Sequence, residues 1–134
     1  MAEFKVCIAD PGTGKTYQKE VKDADAAAFI GKNIGESVKG ELIGLTGAEL
    51  LITGGSDTAG FPMRRGIRDL RKRLSLLGGV GLRRRMPRGA RKRKTVCGHK
   101  ISDRIAQVNV KVSKEGSKKL AELFPAPKPE EKKA

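Results

Sequence analysis

The sequence predicts a mostly β protein: a small antiparallel β-barrel or curved sheet, with one or two short helices and a long basic loop. Three features carry that expectation. Apolar residues alternate with polar ones near both ends of the chain, as Phe4, Val6 and Ile8 and again as Val108, Val110 and Val112, the period of strands with one buried face. Glycines recur at 35, 40, 44, 47, 54 and 55 around the short apolar runs Leu42-Ile43 and Leu50-Leu51-Ile52, a density that suits short, bent strands in a small closed sheet better than a flat open one. The 134 residues contain no Trp and only 4% aromatics, so the core has to be built from Val, Ile, Leu and Ala. A chain of this length holds one domain, placed at residues 1–124, and the sequence PAPKPEEKKA at 125–134 reads as a disordered tail.

Taken in order, residues 3–9 form the first strand. Asp10-Pro11-Gly12-Thr13-Gly14 is a turn signal, and residues 16–21 make the returning strand of a hairpin. Asp23 or Asp25 caps a short helix through residues 26–30, which Gly31 stops. Gly60-Phe61-Pro62-Met63 breaks regularity, residues 74–77 (Leu-Ser-Leu-Leu) offer a small apolar anchor, and Gly78, Gly79 and Gly81 bend the chain. Residues 95–101 and 105–112 read as two more strands, and Ser117 as the cap of a last helix carrying Leu120, Leu123 and Phe124. There is no internal repeat.

Charge points to function. The net charge is +14, which favours a polyanionic partner, because each Lys or Arg that meets a phosphate releases a condensed counterion. Residues 64–100 hold 15 of the 29 Lys and Arg against a single acid, Asp69, and the rest of the chain is neutral. A charge run is often only a solvated stretch. Here Arg outnumbers Lys by 11 to 4, and the planar guanidinium suits phosphates and base faces. Gly and Pro interrupt the run, so it is not an amphipathic helix for a membrane surface. Phe61 is the one aromatic nearby, which favours recognition of RNA backbone and shape over stacking of single-stranded bases. The candidate RNA-binding residues fall in two sets. Arg83, Arg84, Arg85, Arg88, Arg91, Lys92, Arg93 and Lys94 form the primary one, and Arg64, Arg65, Arg68, Arg71, Lys72 and Arg73 the second, with Lys100 added.

Other chemistry finds less support. Residues 11–16, PGTGKT, match the end of a phosphate-binding loop, but Ala9 stands where its first glycine belongs. Such a loop must open a helix, whose N–H groups hold the phosphates, and residues 17–21 read as a strand. The segment is therefore expected to be a hairpin turn with Lys15 exposed. Cys97 and His99 lack the second ligand pair that a zinc site needs. His99 is the single histidine, no serine sits in a nucleophile elbow, and the acids are scattered. No metal, cofactor, nucleotide or catalytic site is expected. The N-terminus lacks a signal-peptide pattern and no apolar run reaches the ~18 residues of a membrane span, so the reading is cytoplasmic, without a membrane partner, and with both thiols reduced.

Four segments carry a resemblance: DPGTGKTYQKEVKD at 10–23, ELIGLTGAELLITGGSD at 41–57, GFPMR at 60–64 and RRMPRGARKRKTVCG at 84–98. In this order they resemble the small-subunit ribosomal protein six family of e-type, eukaryotic and archaeal, in its short archaeal form. The resemblance implies a non-enzymatic component of the small ribosomal subunit that contacts ribosomal RNA and neighbouring ribosomal proteins. A free-standing nucleic-acid-binding protein, such as an RNA chaperone or chromatin protein, shares the same charge logic. A nucleotide-dependent enzyme rests on PGTGKT alone.

Overall fold

A computed structural model describes residues 3–84, 86–117 and 120–123. The expected tail at 125–134, together with Phe124, lies outside the described residues. Strand β1 (Glu3–Asp10) turns into β2 (Lys15–Lys22), and helix α1 (Asp23–Phe29) follows. A short strand β3 (Ser37–Lys39), a 3-10 turn (Gly40–Ile43) and the long strand β4 (Glu49–Asp57) come next. The chain continues through β5 (Arg71–Leu76), β6 (Lys92–Cys97) and β7 (Ile105–Lys114) to a four-residue helix α2 (Leu120–Leu123). Ser117 donates its hydroxyl to the Thr46 carbonyl.

Five strands form one sheet in the order β2-β1-β7-β4-β3, and β5 and β6 form a separate two-stranded ribbon. The mostly β expectation holds. Of the two shapes considered, the sheet is the open, bent one rather than a barrel. Its bends come from three register irregularities along the β4–β7 ladder, one of them between Ile52 and Gly54, where an extra residue kinks the strand. One ladder is parallel: β1 runs alongside β7, so the first and last strands sit together at the centre of the sheet.

The alternation read from the sequence sets the faces. Phe4, Val6 and Ile8 of β1 and Val108, Val110 and Val112 of β7 are buried with Leu50 and Ile52 of β4. Ala26 and Phe29 of α1 and Ile43 of the 3-10 turn close the same core. The opposite face carries Lys5 and Lys111 exposed, with Cys7 and Asn109 paired across β1 and β7 and half-buried.

The ribbon is an excursion from this sheet with both stems at one place. The chain leaves β4 at Asp57 and re-enters β7 at Ile105, and those two residues are ladder partners. Thr58 N–H donates to the Arg104 carbonyl just beyond them. The returning leg is also zipped to the segment after α1, through Gly31 N–H to the Ile101 carbonyl and Ile34 N–H to the His99 carbonyl.

Candidate nucleic-acid interface

The basic segment is more ordered than its composition suggests. Six of the twelve ribbon residues are basic and none is acidic. Like charges directly opposite each other destabilise a ladder, and the register avoids all such pairs. Arg71 faces Cys97, Lys72 faces Val96, and Arg73 faces Thr95; Leu74, Ser75 and Leu76 face Lys94, Arg93 and Lys92. Slipping the register by two would set Lys72 against Lys94 and Arg73 against Arg93. The pairing also puts Leu74 and Leu76 on the same face as Val96. There they form a second, small core with Leu82, flanked by Ile67 and Met86. Strand β6 begins at Lys92, so three residues expected in the loop pair within the ribbon.

The root of the ribbon is fixed to the sheet by a buried acid. Asp57 has a side chain only 1% exposed, and Arg71 Nε donates to its Oδ2 at 2.7 Å. Its Oδ1 accepts from the N–H groups of Ala59 (2.8 Å) and Phe61 (3.1 Å). Burial pushes the Asp57 carboxyl up, but the Arg71 bond, the two N–H groups and the guanidinium charge outweigh it and hold the group below its ordinary range. The Arg71 guanidinium also lies 5.2 Å from the centre of the Phe61 ring, a cation–π contact. Residues 62–64 then stitch β4 to β6: Met63 N–H donates to the Gly55 carbonyl, Cys97 N–H to the Pro62 carbonyl, and Arg64 N–H to the Cys97 carbonyl. At Gly98 the approach is so close that a Cβ would run into the Asp69 carbonyl, and only glycine fits.

These contacts sort the candidate residues. Arg73 and Arg93 lie on one face of the ribbon, and Lys72, Lys92 and the half-buried Lys94 on the other, so both faces are positive. Arg65, Arg68, Arg83, Arg84, Arg88, Arg91 and Lys100 are exposed on the connecting segments. Arg85 lies outside the described residues. Arg71 and Arg64 differ from the rest because protein atoms engage their guanidinium groups. Arg64 Nη1 donates to the Val80 carbonyl at 2.7 Å and holds the turn after β5. Sequence reading missed Asp57 and gave Phe61 no structural role. Asp57 ends an apolar strand just before the charge run, and that position was the available signal.

The PGTGKT segment is a hairpin. Gly14 N–H donates to the Asp10 carbonyl, and the Asp10 carboxylate accepts from Gly12 N–H and the Thr13 hydroxyl. Strand β2, not a helix, follows. Lys15 is exposed. Burial pushes both the Cys7 and Cys97 thiols up, away from the thiolate form that binds metals. Among the described residues no three His, Cys, Asp or Glu side chains gather as a metal set, and no helix is long and apolar enough to cross a membrane.

Together the open sheet and its excursion define a small β protein that displays a cationic ribbon from a five-stranded sheet. The family model described as Ribosomal protein S6e matches residues 4–125. Proteins named small ribosomal subunit protein eS6 are similar over most of the chain. The one from Halorubrum lacusprofundi is 50% identical over 84% of this chain and 83% of its own length. Those from Methanospirillum hungatei and Methanocella arvoryzae are 42% and 46% identical over 97% and 98% of this chain, covering 96% and 92% of theirs. The chain belongs to the ribosomal protein S6e family, a family of structural proteins and not of enzymes.

Proposed function

We propose that this protein is a structural constituent of the small ribosomal subunit that binds and braces ribosomal RNA in the cytoplasm, beside neighbouring ribosomal proteins. The observation that carries the reading is the ribbon: six basic residues on two faces, without an acid, in a register that sets no two of them opposite each other. A solvated charge run has no need of such a framework. Positive charge on both faces suits insertion between two RNA elements, where phosphates approach from either side. Arg73, Lys72, Lys92, Arg93 and Lys94 neutralise phosphates from the ribbon. Arg65, Arg68, Arg83, Arg84, Arg85, Arg88, Arg91 and Lys100 do so from its connections. Arg64 and Arg71 support the surface from beneath. The relatives carry small-subunit names, which favours a ribosomal over a free-standing nucleic-acid binder.

The test is sedimentation of a lysate from cells making the tagged protein. Co-migration with small subunits through a high-salt wash is the expected result. Loss of the protein to the soluble fraction, with small subunits intact, would mark it as a free-standing binder.

A further inference from the structure

A groove of about 610 Å³ lies where the open face of the sheet meets the ribbon. That volume falls in the roughly 300–1,000 Å³ range of sites that enclose small organic groups. Its floor is Thr53, Gly54 and Asn109 of β4 and β7, and Pro62, Met63 and Val80 line it as well, with Arg83 from the ribbon connection. None of the described residues lining it is acidic. A second groove is different in kind, for Asp69 and Asp103 line it together with Arg68 and Lys100 and leave it without net charge. Gln107 Nε2 donates to Asn109 Oδ1 at 2.8 Å, which fixes the Asn109 amide with its oxygen engaged and its nitrogen left to donate.

The geometry points to a binding site for a single unpaired nucleotide of RNA in this groove. The inference rests on the reading that the ribbon binds RNA, and deepens it. Arg83 takes the flanking phosphate, where an RNA strand leaving the ribbon reaches the sheet. The base enters between the side chains of Pro62, Met63 and Val80 and the bare main chain at Gly54. The Asn109 amide nitrogen donates to its polar edge, as a side-chain amide meets exposed base edges elsewhere, while the Thr53 hydroxyl, which donates to the Asn109 carbonyl, is left to accept. An unpaired nucleotide costs least to extrude, because no pairing has to be broken. A ribbon that reads only backbone would make the protein blind to such features, and the groove gives it a means of register.

Gly54 supplies the test. A Cβ there meets nothing within 4 Å, so a side chain can start at this position, and Gly54→Leu occupies groove space without a change in charge. Two RNA hairpins are compared, one fully paired and one identical but for a single bulged adenosine. The wild type should bind the bulged hairpin about tenfold more tightly, the scale of one good base contact. Gly54→Leu should bring the ratio to about one and leave affinity for the paired hairpin unchanged. Asn109→Ala should lower the same ratio, and carries the test should Gly54→Leu fail to fold. Equal wild-type binding of the two hairpins overturns the nucleotide site and leaves the ribbon reading intact, as does a preference that both variants retain. Failure of the wild type to bind either hairpin overturns the ribbon reading itself.

Discussion

Asp57 shows how one buried carboxylate sets the position of a whole charged surface. Its two oxygens satisfy Arg71 and the N–H groups of Ala59 and Phe61, so replacement by Ala leaves two backbone donors and a guanidinium without an acceptor. We expect Asp57→Ala to lower unfolding free energy by about 2–4 kcal/mol, since each unsatisfied buried donor costs about 1–3 kcal/mol and Arg71 can still turn to water. Denaturant unfolding checks it, and a loss below about 0.5 kcal/mol would mean that the root of the ribbon is held by packing alone. The pH dependence has a definite sign. The folded carboxyl titrates below its ordinary value, so its stabilisation is present above the unfolded value and is lost as pH falls through the folded one, below about pH 4. Asp57→Asn should flatten that part of the acid limb. Lys15 marks the opposite extreme, an exposed residue on a hairpin. Lys15→Ala should change stability by no more than about 0.5 kcal/mol and leave RNA affinity unaltered; ATP binding by the wild type that vanishes in this variant, measured by calorimetry, would restore the phosphate-loop reading.

At the scale of elements, the strands that obey simple alternation were legible: Phe4, Val6 and Ile8 of β1 and Val108, Val110 and Val112 of β7 are buried as their period requires. The β1–β2 hairpin followed from its turn chemistry, and α1 from the alanines before Gly31, but neither Asp23 nor Asp25 caps it: both lie inside its first turn, after Lys22. What escaped was β3, β5 and both ends of β6, which stops at Cys97 rather than 101, and Leu42-Ile43 lies in the 3-10 turn rather than in a strand. Locally, Arg71-Lys72-Arg73 and Lys92-Arg93-Lys94 look too repulsive to pair. The solution depends on the offset between two segments about twenty residues apart, and no window on one segment contains it. The parallel β1–β7 ladder was hidden for the same reason, because it joins the two ends of the chain. The ribbon has its own core of Leu76, Leu82 and Val96, so its stability should be separable from the sheet. Leu76→Ala should destabilise the ribbon by about 2–3 kcal/mol. Amide hydrogen exchange should then quicken in β5 and β6 and stay slow in β1, β4 and β7. Equal acceleration in both regions would show that sheet and ribbon open as one unit.

Over the whole molecule, charge and stability are held apart. The sheet and its core carry the fold, while residues 64–100 carry the entire excess of +14 on a ribbon rooted at the Asp57–Ile105 pair. The candidate surface was therefore legible in the sequence as a segment, but not as two faces, and not with Arg64 and Arg71 set apart by guanidinium bonds to the Val80 carbonyl and Asp57. That separation makes a quantitative demand on binding. If the ribbon neutralises phosphates, affinity for small-subunit ribosomal RNA should fall about a thousandfold or more between 50 and 200 mM salt, as expected for roughly six to ten neutralised phosphates. Replacing Arg73, Lys92, Arg93 and Lys94 together by Gln should reduce the slope of log affinity against log salt by about 3–4, at roughly 0.9 for each phosphate no longer neutralised. The melting temperature should hold or rise, because these side chains have no ion pair among the described residues and their mutual repulsion is removed. The same change at Lys15 and Lys39, exposed on the sheet, should leave the slope where it was. A reduction from these two lysines half as large as that from the four ribbon residues would mean that RNA feels only the net charge of the protein, and the ribbon would lose its claim to be the interface.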